Sequence, residues 1–180
     1  LLPSPAKIAP PIHHKAMPLD QMQEFYDWLK QETAISAKAL QFLLLTVGRT
    51  GQVIGAQWDE VSLAECIWSI PATRMKSRIA HDVPLSPEAA TLLHDLPRLA
   101  GNAFIFPGLK PNRPINSNSM RLFLRKKAPN LSGTVHGFRS TFRDWAEEQN
   151  KWGSRAIEAC LAHTNKNKTE AAYLRSSLVT

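Results

Sequence analysis

The sequence predicts a mainly helical α+β domain, and three observations predict it. Apolar residues recur at helical intervals over most of the chain after Pro18. Strand-like patterns are confined to residues 59–86. A chain of 180 residues that is 43% hydrophobic can bury one respectable core, so a single domain is expected.

Residues 1–17 carry four prolines and no periodicity, and read as an extended linker entering a domain that occupies 18–180. The pair His13-His14 has no further Cys or His nearby to complete a metal-ligand set, so it reads as part of that linker. Met22, Phe25, Tyr26 and Leu29 then mark an amphipathic helix. A second helix, from about Thr33 to Val47, is apolar on nearly every side through Ala37, Leu40, Leu43, Leu44 and Leu45, and should form the buried centre of a helical layer. Gly48 is expected to end it in the left-handed conformation, and Thr50 to cap a helix through Val53, Ala56 and Trp58. Arg49 emerges between them. It either neutralises the carbonyls of the helix it follows or is a cation held rigidly for use in a site.

Cys66 to Ile70 and Ile79 to Leu85 read as two strands of a hairpin whose tip carries Arg74, Lys76 and Arg78. Such a cluster is usually a solvated charge run. The alternative is a finger that reaches nucleic acid, with Lys76 delivering a proton. Ser86-Pro87-Glu88 is a helix start, with Leu92, Leu93 and Leu96 on its buried face. The apolar stretch 103–106 meets a loop, 107–119, whose three prolines, three asparagines and glycine make it the best internal candidate for a flexible segment. Met120, Phe123 and Leu124 open another helix, with Arg121, Arg125 and Lys126 on the opposite face.

The last quarter of the chain concentrates groups that can handle a phosphodiester. Phe138, Phe142 and Trp145 form a helical core stripe, and His136 and Arg139, three residues apart, can share one side of that helix. Ser154 can cap a helix with Ile157, Cys160 and Leu161 on its apolar face, and His163 marks its end. A histidine there is often only a dipole cap. Here Tyr173, one of two tyrosines, follows in a short helix that Thr169 can cap. A tyrosine hydroxyl can serve as a nucleophile, histidines can relay protons, and an arginine fork can hold two phosphate oxygens.

Composition narrows the partners. A net charge of +7 and a pI near 9.7 favour a polyanion, without choosing among nucleic acid, an anionic membrane and a merely basic surface. No apolar run reaches the ~20 residues that span a bilayer, and no charged-then-apolar leader is visible. Cys66 and Cys160 sit in apolar patterns and read as small core residues with no need of a disulfide. An intracellular setting follows. The chain begins with Leu1 and stops soon after Tyr173, which reads as a fragment of a longer protein.

From Pro18 onward the chain resembles the catalytic domain of tyrosine recombinases, and is most similar to prophage integrases of the satellite-phage type. The motifs that carry the resemblance are Leu45-Thr-Val-Gly-Arg-Thr-Gly51, Arg74-Met-Lys76, His136-Gly-Phe-Arg139, Leu161-Ala-His163 and Glu170-Ala-Ala-Tyr173, in that order. The resemblance implies a tyrosine-recombinase-like fold with a small antiparallel three-stranded sheet at one edge. It implies that Arg49 and Arg139 clamp the scissile phosphate, that His136 and His163 donate hydrogen bonds or shuttle protons, and that Lys76 is the general acid for the departing 5′ oxygen. Tyr173 would attack phosphorus, leaving a 3′-phosphotyrosine and a free 5′ hydroxyl. The implied partners are double-stranded DNA at attachment sites, other integrase protomers and accessory DNA-bending proteins, with no membrane, cofactor, metal or ATP. The implied location is the bacterial cytoplasm, at the nucleoid.

Two departures accompany the resemblance. The family usually has Asp or Glu three residues after the first arginine, where this chain has Gln52, which accepts a hydrogen bond but carries no charge. The N-terminal DNA-clamping domain and the exchanging tail are not within the 180 residues. A type IB topoisomerase-like relaxase would use nearly the same residues, and an integrase remnant that binds DNA without cutting it is the non-enzymatic alternative.

Overall fold

The computed structural model describes residues 15–163. A 3-10 turn, Leu19–Gln21, leads into helix α1 (Met22–Gln31), α2 (Ile35–Thr46) and the short α3 (Thr50–Ile54). Three strands follow, β1 (Val61–Ser62), β2 (Ile67–Ile70) and β3 (His81–Pro84), then α4 (Pro87–Asp95), α5 (Ser119–Lys127), α6 (Gly137–Glu148) and α7 (Ser154–Cys160). The strands make one antiparallel sheet in the order β1-β2-β3, with Val61 opposite Trp68 and Ile70 opposite His81. The α+β architecture and its three-stranded sheet are those that the sequence predicts.

Helix α2 is the centre, as its all-round apolar surface requires. Ala37, Ala39, Leu40, Phe42 and Leu43 are fully buried in it, and it packs on α1, α4 and α5. Gln41, also buried, donates from Nε2 at 2.7 Å to the Leu29 carbonyl at the end of α1, which also accepts the Glu32 N–H at 3.2 Å. Phe42 joins the helical layer to the sheet, its ring centroid 5.0 Å from that of Trp68 and 5.7 Å from that of Phe106. Trp68, Ile70 and Val83 form the inward face of the sheet by simple alternation. The 103–106 stretch pairs back onto the end of α3, with Gln57 opposite Phe104 and the Ile105 N–H donating to Ala56 at 2.9 Å.

Several local expectations are corrected. Gly48 does not take the left-handed conformation; Val47 does, at φ 52°. Gly48 is needed for space, because a Cβ there would lie 2.9 Å from a Val53 methyl and 3.2 Å from the Thr46 hydroxyl. Thr50 is the first residue of α3, and Arg49 holds the cap position. Cys66 and Cys160 are both exposed and free, since Cys66 sits in the turn before β2 at φ 53° and α7 buries only Ile157 before Leu161. Arg74 does not project from the hairpin tip; it is paired with Glu60 across the sheet edge. The 107–119 loop is braced by a bridge between Pro107 and Pro114 and by burial of Ile115.

The end of the stretch read as linker is held against the domain. Met17 is buried, its N–H donates to the Thr141 hydroxyl at 3.0 Å, and that hydroxyl donates to the Met17 carbonyl at 2.8 Å. Gly137 makes the close passage possible, because a Cβ there would overlap the carbonyl of Lys15. Among the described residues, no helix is long and apolar enough to cross a membrane.

Candidate active site

The site begins where α2 stops. Val47, a β-branched residue held in a conformation costly for it, turns the chain so that its carbonyl faces Arg139 on α6. Arg49 follows in extended geometry, and its backbone N–H donates to Gln52 Oε1 at 2.7 Å. Gln52 is buried, and its Nε2 donates to Met75 Sδ at 2.9 Å, beside Lys76. The amide therefore does two jobs, as acceptor for the cap of α3 and donor to the middle of the β2–β3 loop. A carboxylate could do only the first.

Helix α6 starts under the control of Thr134, whose hydroxyl accepts from the Gly137 N–H at 3.0 Å. One turn in, Arg139 is only 6% exposed. Its fork donates to two backbone carbonyls at once, that of Val47 and that of Leu161, the latter at 2.6 Å. Arg49 Nη2 donates to the next carbonyl, Ala162, at 3.2 Å. Two arginines from distant parts of the chain thus converge on one turn, just before His163. Among the described residues, neither guanidinium has a carboxylate within ion-pair distance. Burial, reinforced by Arg49, lowers the pKa of Arg139 to about 10, and burial also lowers that of Arg49. Paired cations without a counter-charge are a candidate anion site.

The other predicted residues are placed as follows. His163 is exposed, with Nδ1 2.6 Å from Glu158 Oε2, which leaves Nε2 as its outward nitrogen. Glu158 is fixed in turn by Arg143, at 3.1 Å. His136 precedes α6 and is exposed on the rim of a cleft of about 440 Å³ that Thr50, Arg121 and Arg125 also line. His136 and Arg139, expected to share one side of the helix, therefore diverge: the arginine points into the fold and the histidine lies at its surface. Lys76 is exposed on the loop joining β2 to β3, and among the described residues it makes no hydrogen bond or ion pair with the other site groups. Tyr173 lies outside the described residues.

Two functional candidates were not read from the sequence. Glu158 pairs with His163, and only its position five residues earlier, in the last turn of α7, hints at that. His81 opens β3 on the inward face, within electrostatic reach of both arginines. Its sequence signal is alternation: it stands two residues before the buried Val83.

The model of the phage integrase family matches residues 15–178. The prophage integrase IntA of Escherichia coli strain K12 is 39% identical over 137 residues, covering 74% of this chain and 32% of its own length. The integrase of Enterobacteria phage P4 is 31% identical over 183 residues, covering 92% and 42% respectively. Among solved structures, XerA recombinase superposes with a TM-score of 0.68 at 19% identity over 91% of this chain and 61% of its own. A lambda integrase dimer bound to a COC′ core site gives 0.64 at 19% identity, over 92% and 49%. The chain spans less than half the length of these two integrase relatives.

Proposed function

The chain belongs to the phage integrase family, and on that premise we propose that it is the catalytic domain of a site-specific DNA integrase, which breaks and rejoins DNA through a 3′-phosphotyrosine intermediate. The observation that carries the reading is the convergence of Arg49 and Arg139 on the turn at Leu161 and Ala162, with no carboxylate partner among the described residues. A phosphodiester oxygen supplies the missing negative charge, and an arginine fork suits it.

Tyr173 attacks phosphorus. Arg49 and Arg139 hold the non-bridging oxygens, and His136 and His163 donate hydrogen bonds or move protons as charge builds up on the pentacoordinate phosphorus. Lys76, on its exposed loop, gives a proton to the leaving 5′ oxygen. The 5′ hydroxyl of a second strand then reverses the attack. One ester is exchanged for another, so the step needs no ATP, and the guanidiniums carry the electrostatic load that metal ions carry elsewhere. The buried Gln52 serves this arrangement by holding the start of α3 and the β2–β3 loop together. DNA and further copies of the protein are the partners in this reading, as in the lambda integrase structures, a dimer bound to a COC′ core site and a tetramer bound to a Holliday junction.

The test is covalent trapping on a nicked suicide duplex carrying attachment-site DNA. A protein–DNA adduct that survives denaturation and disappears in Tyr173→Phe is the expected result. An adduct unchanged in Tyr173→Phe overturns the assignment of the nucleophile.

A further inference from the structure

We propose that His81 is the third member of the oxyanion site, an uncharged donor that faces the same phosphate oxygens as Arg49 and Arg139. The inference rests on the reading of those two arginines as an anion clamp, and goes beyond it by adding a residue and a proton linkage.

The geometry comes from the sheet. His81 pairs across from Ile70, and cross-strand partners point to one face. Ile70 is buried, as is Val83 two residues further along β3, so His81 belongs to the inward face. That face packs on the end of α2: Trp68 closes over Gly48, with its Cζ3 atom 3.5 Å from where a Gly48 Cβ would stand. The strand thereby brings His81 to the face that meets the end of α2, within electrostatic reach of Arg49 and Arg139, at the start of the strand that follows the Lys76 loop. Asp82, the neighbour on the outer face, is occupied by the Ser69 hydroxyl at 2.7 Å.

The charges around His81 decide what it can do. Burial depresses its pKa below the ordinary 6.5, Arg49 and Arg139 push it the same way, and Asp82 opposes them. A neutral imidazole supplies an N–H without adding a third positive charge to an already repulsive pair. When an oxyanion fills the site, it cancels the field of the arginines, and the imidazole then gains proton affinity. By linkage, anion binding takes up a proton at mildly acidic pH and strengthens as pH falls. The same coupling lets His81 gain a proton as negative charge develops on phosphorus.

Sulfate is the probe, because it binds as an oxyanion and does not itself titrate in this range. Histidine ring resonances of the full 180-residue chain, followed by NMR during a sulfate titration, should show His81 shifting saturably, with its titration midpoint moving up. His81→Asn should weaken sulfate binding by roughly tenfold at pH 6, the scale of one hydrogen bond to a charged group. It should also remove most of the pH dependence between 5.5 and 8, while melting as cooperatively as the parent. His81→Gln, whose amide N–H extends further, should recover part of the affinity. The proposal is overturned if Arg49→Ala abolishes sulfate binding while His81 resonances stay still, if His81→Asn binds sulfate like the parent at every pH, or if no sulfate binds at all. Adduct formation by Tyr173 is read in a separate assay, so a missing adduct with an intact His81 response counts against the cleavage reading alone.

Discussion

Arg139→Lys keeps the positive charge at the centre of the site and removes the fork. The guanidinium satisfies the Val47 and Leu161 carbonyls together, whereas an ammonium on a flexible stem reaches one of them. Leu161 is 1% exposed, so water does not readily replace the lost donor. An unsatisfied buried acceptor costs about 1–3 kcal/mol, and a domain of this size loses about 2–4 °C of Tm per kcal/mol. Thermal melts should therefore drop by about 2–12 °C. Single-turnover cleavage should fall about 100-fold or more at saturating DNA, because a point charge replaces bidentate stabilisation of the transition state. Arg49→Lys is the control: Arg49 makes one carbonyl contact and is only half-buried, so its melt should move by under about 1 kcal/mol while cleavage still falls. An Arg139→Lys protein that melts with the parent, or an Arg49→Lys protein destabilised as much as it, refutes the structural role given to the Arg139 fork.

Three further outcomes follow from the same geometry. Lys76→Ala should leave DNA affinity within about twofold, since Lys76 is one exposed cation among many, and should slow cleavage about 100-fold in a manner rescued by a 5′ leaving group that needs no proton; affinity and cleavage falling together would make Lys76 a phosphate contact. Gly137→Ala should destabilise the fold by about 1–3 kcal/mol in urea titrations and loosen residues 15–17 to proteolysis, because the methyl group takes the place of the Lys15 carbonyl. The stability of the parent should fall on acidification from 6.5 towards the depressed pKa of folded His81, because there the unfolded chain binds a proton that the folded chain does not. His81→Asn should remove that part of the slope, and an unchanged slope would assign the effect elsewhere.

The elements read correctly from the sequence are those whose signal is local. Helix α2 announces itself through apolar residues on nearly every side, α4 through the Ser86 cap, whose hydroxyl accepts the Ala89 N–H at 3.2 Å, and α5 through Met120, Phe123 and Leu124 against an exposed basic face. The misreadings have tertiary causes, since which neighbours are present or absent overrides a local preference. Gly48 is the natural left-handed residue, yet Val53 and Trp68 claim its empty space and displace that conformation onto Val47. Arg74 belongs by composition to a basic tip, yet Glu60 captures it. Cys160 fits the apolar interval from Ile157, yet among the described residues no element covers that side of α7.

The sequence by itself determined the fold class and the inventory of chemical groups, because helical and strand periods and the residue types of a phosphate-handling site are written in short stretches of chain. Only the tertiary structure decided which of those groups share a site. Arg49 and Arg139 meet because the strained turn at Val47, the missing side chain of Gly48 and the end of α7 bring distant carbonyls to one place. His81 joins them because the pairing of β3 with β2 sends alternate side chains inward. Spacing along the chain carries no record of either, since both depend on which surfaces remain to be buried once the helices have formed.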